Sequence, residues 1–182
     1  MSTTIGQGIA NTATQKMYPT GGSTPQPQRV EIGHDALVQL SQQGDDDEKL
    51  VAGAALKAYA SINQGQKPQG DKLTDEEATE KATLNHVKAG QSDPSTIAFH
   101  AMNNVEQYSQ KSGNAELGPE IEIGLAFADA IGQSSSSQAQ DAATAASTAR
   151  SQWTAAGQDE NKIAAARDTL WGFFDGSRIQ GQ

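Results

Sequence analysis

The chain is expected to be all-α, a bundle of about five to seven short-to-medium helices behind a disordered or extended N-terminal arm. Three observations carry this expectation. From Glu31 onward apolar residues recur at spacings of three and four, the period of a helix with one buried face. Residues that start and stop helices bracket those runs. The first 30 residues instead have the glycine and proline chemistry of an arm. The expected division is therefore a flexible arm over 1–30 and a helical body over 31–182.

In the arm, Ile5, Ile9, Ala13 and Met17 fall four apart, so an amphipathic helix is available there. Gly6 and Gly8 lie inside it, each costing about 1 kcal/mol relative to alanine, so it is expected to form only against a partner. The stretch Pro19–Gln28, PTGGSTPQPQ, reads as turn and polyproline.

The body opens with a short helix over His34–Gln43, stopped by Gly44. Asp45 is then a candidate N-cap, followed by a stripe of Val51, Ala55, Ala58 and Ile62 that Gly65 closes. Thr74-Asp75-Glu76-Glu77 fits a capping box, in which Thr and Glu side chains each satisfy the other's free backbone donor. That helix is expected to run to about Ala89, with Gly90 as its stop. Asp93-Pro94 pairs an N-cap with proline at the first helical position. The stripe Ile97, Ala101, Val105 and Tyr108 follows, and Gly118-Pro119-Glu120 repeats the start signal. In residues 120–127, Ile121, Ile123, Leu125 and Phe127 alternate as in a strand. Pro119 before them and ADAIG after them favour helix, no partner strand appears elsewhere, and helix is the reading taken. Asp159 opens the last helix, with Ile163, Ala166, Leu170 and Phe173/Phe174 on one side and Gly176 as C-cap.

The low-complexity stretch SSSSQAQDAATAASTARSQW, Ser134–Trp153, has the composition of a linker. A linker has no period, whereas Ala139, Ala142, Ala146, Ala149, Trp153 and Ala156 follow the alternating three-and-four spacing of a heptad seam. Neither proline nor glycine interrupts the run. It is expected to be a helix with Ser136 or Ser137 as N-cap and a thin alanine seam, facing another part of the chain or a second copy.

Composition narrows function. The apolar content is low: Leu, Ile, Val and Phe together number 28 of 182 residues, and alanine supplies much of the rest. A body of this kind has little area to bury, so modest stability or help from a partner is expected. The net charge is -9. Residues 1–30 carry no acid and only Lys16 and Arg29 as bases, so the body is strongly acidic. Nucleic-acid binding needs clustered Lys and Arg, and docking on anionic membranes needs the same, so neither is expected. Cysteine is absent, which excludes disulfides and thiolate metal sites. No apolar run has the length of a membrane span, and the first residues lack the basic and apolar regions of a Sec signal.

Motifs for catalysis are missing. His34, His86 and His100 stand in no metal-ligand spacing, and neither a nucleophile elbow nor a phosphate-binding glycine loop occurs. The run Asp45-Asp46-Asp47-Glu48 lacks the alternating ligands of a calcium loop. Four carboxylates in a helix first turn complement the macrodipole, and Asp75-Glu76-Glu77 is read the same way. No enzyme activity, cofactor or metal is expected.

The interaction candidates are the alanine seam with Trp153, the terminal aromatics Trp171, Phe173 and Phe174, and the arm residues Ile5, Ile9 and Met17. Trp171, Phe173 and Phe174 are three of nine aromatics and cannot all face one way on a helix, where successive residues are about 100° apart. The acidic, cysteine-free, aromatic-poor and glycine-containing composition resembles that of harpins and related type III-secreted helper proteins. Its leader, rich in Thr, Ile, Gln and Asn, resembles theirs also. The resemblance implies a non-enzymatic protein–protein interaction protein with an N-terminal export signal, secreted by a Sec-independent route. The other class expected from the same residues is a structural or assembly component, such as a phage virion protein whose arm clasps its neighbours.

Overall fold

The computed structural model describes residues 3–64, 72–112, 117–157 and 159–180; side chains at 63, 64, 72, 108–112, 117 and 178–180 are outside the description. Within these residues there are eight helices and no strand: α1 Ile5–Met17, α2 Gln26–Gln43, α3 Asp46–Gln64, α4 Lys72–Lys88, α5 Pro94–Ser112, α6 Leu117–Gly132, α7 Ala139–Ala156 and α8 Glu160–Gln180. The all-α class is as expected, and the helix count is slightly above the five to seven expected.

The N-terminal arm is the main departure. Instead of an extended or disordered segment, residues 5–17 form α1, which packs on α2 and α4. Thr4 caps it in a complete capping box: the Thr4 hydroxyl oxygen accepts from the Gln7 amide at 2.9 Å, and the Gln7 side chain accepts from the Thr4 amide at 2.8 Å. Ala10, Ala13 and Met17 are buried, Ile9 packs against the core and Ile5 is exposed. The partner that this helix needs is thus the rest of the chain. Gly6, expected to loosen the arm, instead allows a close approach: a Cβ there would fall 2.2 Å from a Glu48 carboxyl oxygen.

α2 begins eight residues earlier than expected. Pro25 takes the N-cap position and Pro27 stands in the first turn, where a missing amide proton costs no helical hydrogen bond. Asp45 caps α3 as expected and does so reciprocally with Glu48: the Glu48 amide donates to Asp45 Oδ1 at 2.8 Å, and the Asp45 amide to Glu48 Oε1 at 2.9 Å. The expected stop at Gly65 lies outside the described residues. The Thr74–Glu77 capping box does not form, because α4 already starts at Lys72 and both side chains are engaged across the bundle. α4 ends as expected. Gly90 adopts φ +79°, a left-handed conformation open to glycine, and its amide donates to the Val87 carbonyl at 2.9 Å.

Asp93 caps α5 through the Thr96 amide, at 3.0 Å, and the Thr96 hydroxyl, at 2.6 Å. The α5 stripe of Ile97, Ala101 and Val105 is buried; the Tyr108 side chain is not described. Residues 120–127 are helical. Their strand-like alternation has a physical cause: α6 is central, packed by α3, α5, α7 and α8, so Ile121, Ile123, Leu125 and Phe127 are all buried on different sides of one helix.

The serine-rich stretch is helix α7, but its N-cap is Gln138, not Ser136 or Ser137. The serines form the preceding turn, with the Ser134 hydroxyl donating to the Ile131 carbonyl at 2.6 Å. Asp159 caps α8 as expected. Gly176 is not its stop; the helix continues to Gln180.

α4 is a second central helix, packed by α1, α2, α3 and α5. α3 touches both central helices, and one apolar core with members from all eight helices runs through the molecule. Its largest fully buried side chains include Phe127, Phe174, Met17, Leu37 and Ile121.

Candidate functional site

The most unusual chemistry lies along α4. The segment Asp75-Glu76-Glu77, assigned from sequence to a helix first turn that complements the macrodipole, is buried together with Glu80. Glu48 of α3 is buried as well, while its neighbours Asp46 and Asp47 are exposed, as a first-turn macrodipole role expects. α4 carries only a narrow apolar set, and α1 to α3 enclose it on several sides. The acids therefore turn inward and must find partners or give up their charge.

Glu77 finds partners. Arg29 Nε and Nη2 donate to its two oxygens, each at 2.9 Å. The Tyr18 hydroxyl adds a bond of 2.6 Å, and the Gln26 side chain one of 3.2 Å. Burial would raise the Glu77 pKa, but the hydrogen bonds from Arg29, Tyr18 and Gln26 outweigh it and hold the carboxyl below its ordinary value. The Arg29 guanidinium is raised in turn, by its bond to Glu77. The Tyr18 ring lies beside two cations, 5.8 Å from the Arg29 guanidinium carbon and 5.1 Å from Lys81 Nζ. Arg29 also donates to the Thr24 carbonyl, tying the α1–α2 loop to the network.

Glu48 makes the second tie. It holds the Asp45 amide and accepts the Thr4 hydroxyl proton at 2.7 Å, so the start of α1 is fixed to the start of α3. The ties at Thr4 and Tyr18, at the two ends of α1, thus end on buried carboxylates from the body.

Glu80 finds no partner. It is fully buried, and neither of its oxygens makes a hydrogen bond. Burial, and then the charges of Glu76 and Glu77, push its pKa up to about 9. Tyr59 of α3 hydrogen-bonds Glu76, and its phenol is raised well above its usual range, first by burial and then by Glu76. On α6, Glu120 repeats the pattern. It is buried with both oxygens unbonded, and Arg167 approaches only to 3.9 Å. Burial and Glu106 raise it to about 8, against an opposing pull from Arg167.

A separate cleft of about 310 Å³ opens between α3, α6 and α7, lined by Lys57, Ser61, Glu122, Asp129, Arg150 and Trp153 among others. Arg150 Nη2 donates to Asp129 at 2.8 Å across it. Burial raises the Glu122 carboxyl, partly offset by Arg150.

The sequence-selected interaction residues separate into different places. Ala142, Ala146, Ala149 and Ala156 are buried, and Ala139 and Trp153 are half-buried. α7 packs on α6 and α8, so this chain itself supplies what its alanine seam faces. Phe174 is buried; Trp171 and Phe173 are half-buried against the core. Trp171 meets Phe99 edge to face, with 4.7 Å between centroids. Met17 lies in the core and Ile9 at its margin, and Ile5 is open to solvent. The histidines are half-buried, with His86 stacked on His100 at 4.8 Å. Among the described residues no group of three or more His, Asp or Glu is arranged to hold a metal ion. No helix of those residues is long and apolar enough to cross a membrane.

Sequence reasoning missed Glu80 and Glu120 as buried acids, and missed Arg29 as the partner of Glu77. The spacing Glu76–Glu80 on a helix without a broad apolar face was the available signal for the first. Nothing local links Arg29 to Glu77, 48 residues away. Comparison with protein-family models, with curated proteins and with solved structures returns no match.

Proposed function

We propose that the chain is a non-enzymatic protein–protein interaction protein of the harpin-like kind that bacteria export through a type III apparatus, with the export signal in residues 1–30. The observation that supports this reading is the attachment of α1. Its buried face is Gly6, Ala10, Ala13, Thr14 and Met17, with Ile9 at the core's margin, so apart from the polar ties at Thr4 and Tyr18 only two large side chains seat the helix. Alanine and glycine contribute little burial, and a helix held this way separates from its body at lower cost than one seated by leucines. A leader that can leave, ahead of a body with a thin core, suits passage in an unfolded state.

The assembly reading draws on a different observation. Residues 18–25 join α1 to α2 through a mostly exposed loop in which Gly21 stands at φ +81°. A loop of this kind lets α1 seat on a second copy and act as a clasp.

Export is tested by fusing residues 1–30 to a reporter enzyme in a bacterium with a type III apparatus, and in the same strain without the apparatus ATPase. Reporter in the medium of the first strain alone is expected. Retention in both strains, or release from both, contradicts export. The clasp instead predicts a stable higher oligomer of the full chain that becomes monomeric when residues 1–24 are deleted.

A further inference from the structure

We propose that the Glu80 carboxyl is a proton-dependent latch that holds α2, and α1 with it, onto α4. The geometry begins at Gly33 of α2. A Cβ on Gly33 would lie 2.4 Å from Glu80 Oε1, 2.6 Å from its Cδ and 3.1 Å from its Cβ. The α2 backbone therefore presses on the carboxyl group itself, and the fully buried side chain is closed off from solvent. Neither oxygen has a hydrogen-bond donor. A neutral carboxyl tolerates such a place far better than a carboxylate, whose lost hydration nothing there replaces.

The surrounding charges deepen the preference. On α4 itself Glu76 and Glu77 stand one turn away, and both act on Glu80 as negative neighbours. From α3, Tyr59 stands beside both Glu80 and Glu76 and donates its bond to Glu76. From α2, Arg29 is committed to Glu77, while the His34 ring meets Tyr59 at a tilt, with 4.8 Å between centroids. The end of α1 brings Tyr18, whose hydroxyl also goes to Glu77. On the α5 side, His100 stacks on His86, six residues further along α4. Lys81, next along α4, sits over the Tyr18 ring, and the charges that act on Glu80 are those of Glu76 and Glu77. Ionisation of Glu80 is met by separation of α2 from α4, which lets water in, and α1 follows because it packs on both.

The sign is fixed by linkage. The carboxyl binds its proton more tightly folded than unfolded, so the stability it contributes is complete below the unfolded value of 4.5 and is lost as pH rises through about 9. The latch rests on the fold alone and stands whether or not the chain is exported.

Hydrogen exchange of the full chain, read peptide by peptide at pH 6.5 and pH 9.5 and corrected for intrinsic rates, tests it. Protection of α1 and α2 is expected to fall by more than about tenfold across that interval. In Glu80→Gln, and in Glu80→Met should the amide variant not fold, protection of the same segments should change less than about threefold. Loss of protection around α6 and α8 should persist in both variants, since Glu120 titrates there independently. An equal fall in wild type and variants overturns the latch. So does a wild type whose α1–α2 protection is indifferent to pH but rises with calcium or magnesium chloride, since the carboxyl would then serve a cation.

Discussion

Glu77 and Glu80 are three residues apart on one helix and are driven in opposite directions. Glu77 meets Arg29, Tyr18 and Gln26 and stays ionised; Glu80 meets the Gly33 backbone and other carboxylates and keeps its proton. The difference comes from what α1 and α2 present at each turn, which no reading of α4 alone contains. Gly33→Ala tests the tightness of that contact. Alanine gains about 1 kcal/mol of helix propensity over glycine, but its methyl overlaps the Glu80 carboxyl at 2.4 Å. Overpacking costs about 1–3 kcal/mol, so a net loss of about 1 kcal/mol is expected in urea unfolding. In the Glu80→Ala background the same substitution should be neutral or stabilising, because the overlapping atoms are gone. At this scale the capping residues were legible: Asp45, Asp93 and Asp159 act through bonds to amides two or three residues away. Thr74 and Glu77 were misread because long-range partners, Gln26 and Arg29, claim the side chains that a local box would use.

Among the elements, α7 is the clearest success of periodicity and α1 the clearest limit of composition. The alanine seam was legible because a heptad spacing survives in a sequence with almost no large side chains. Small seam residues let α7 lie close to α6 and α8, and Ala149 is fully buried there. Ala149→Leu should therefore destabilise the protein by about 1–3 kcal/mol despite adding apolar surface. Thermal unfolding followed by circular dichroism checks this, with the exposed Ala143→Leu as the control expected to change little. α1 was legible as a helical period but not as part of the body. Its glycines argued for looseness, and only the position of Glu48 explains why Gly6 is wanted. α6 shows the converse: a helix buried on several sides loses its 3.6-residue signature, and alternation within Ile121–Phe127 is what remains.

For the whole molecule, the modest core and the buried acids combine into one expectation about stability. Two central helices each carry a fully buried carboxyl with no hydrogen bond, Glu80 on α4 and Glu120 on α6, while the ionised Glu77 secures the loop before α2. Glu77 has a lowered pKa, so its contribution is present above the ordinary carboxylate value of 4.5 and fades as pH falls through its folded value. Glu80 and Glu120 are raised, so theirs is complete below 4.5 and is lost as pH rises through about 9 and about 8 respectively. The two limbs place maximal stability on the mildly acidic side of neutrality. The measurement that tests this most directly is the unfolding temperature of the full chain across pH 4 to pH 9.5, with the exposed Glu31→Gln as a control for general charge effects. The account predicts a maximum near pH 5 to 6 and a fall of more than about 5 °C by pH 9.5, largely removed in the Glu80→Gln/Glu120→Gln double variant and retained in Glu31→Gln. An unfolding temperature that is flat or rising from pH 6 to pH 9.5 would contradict it.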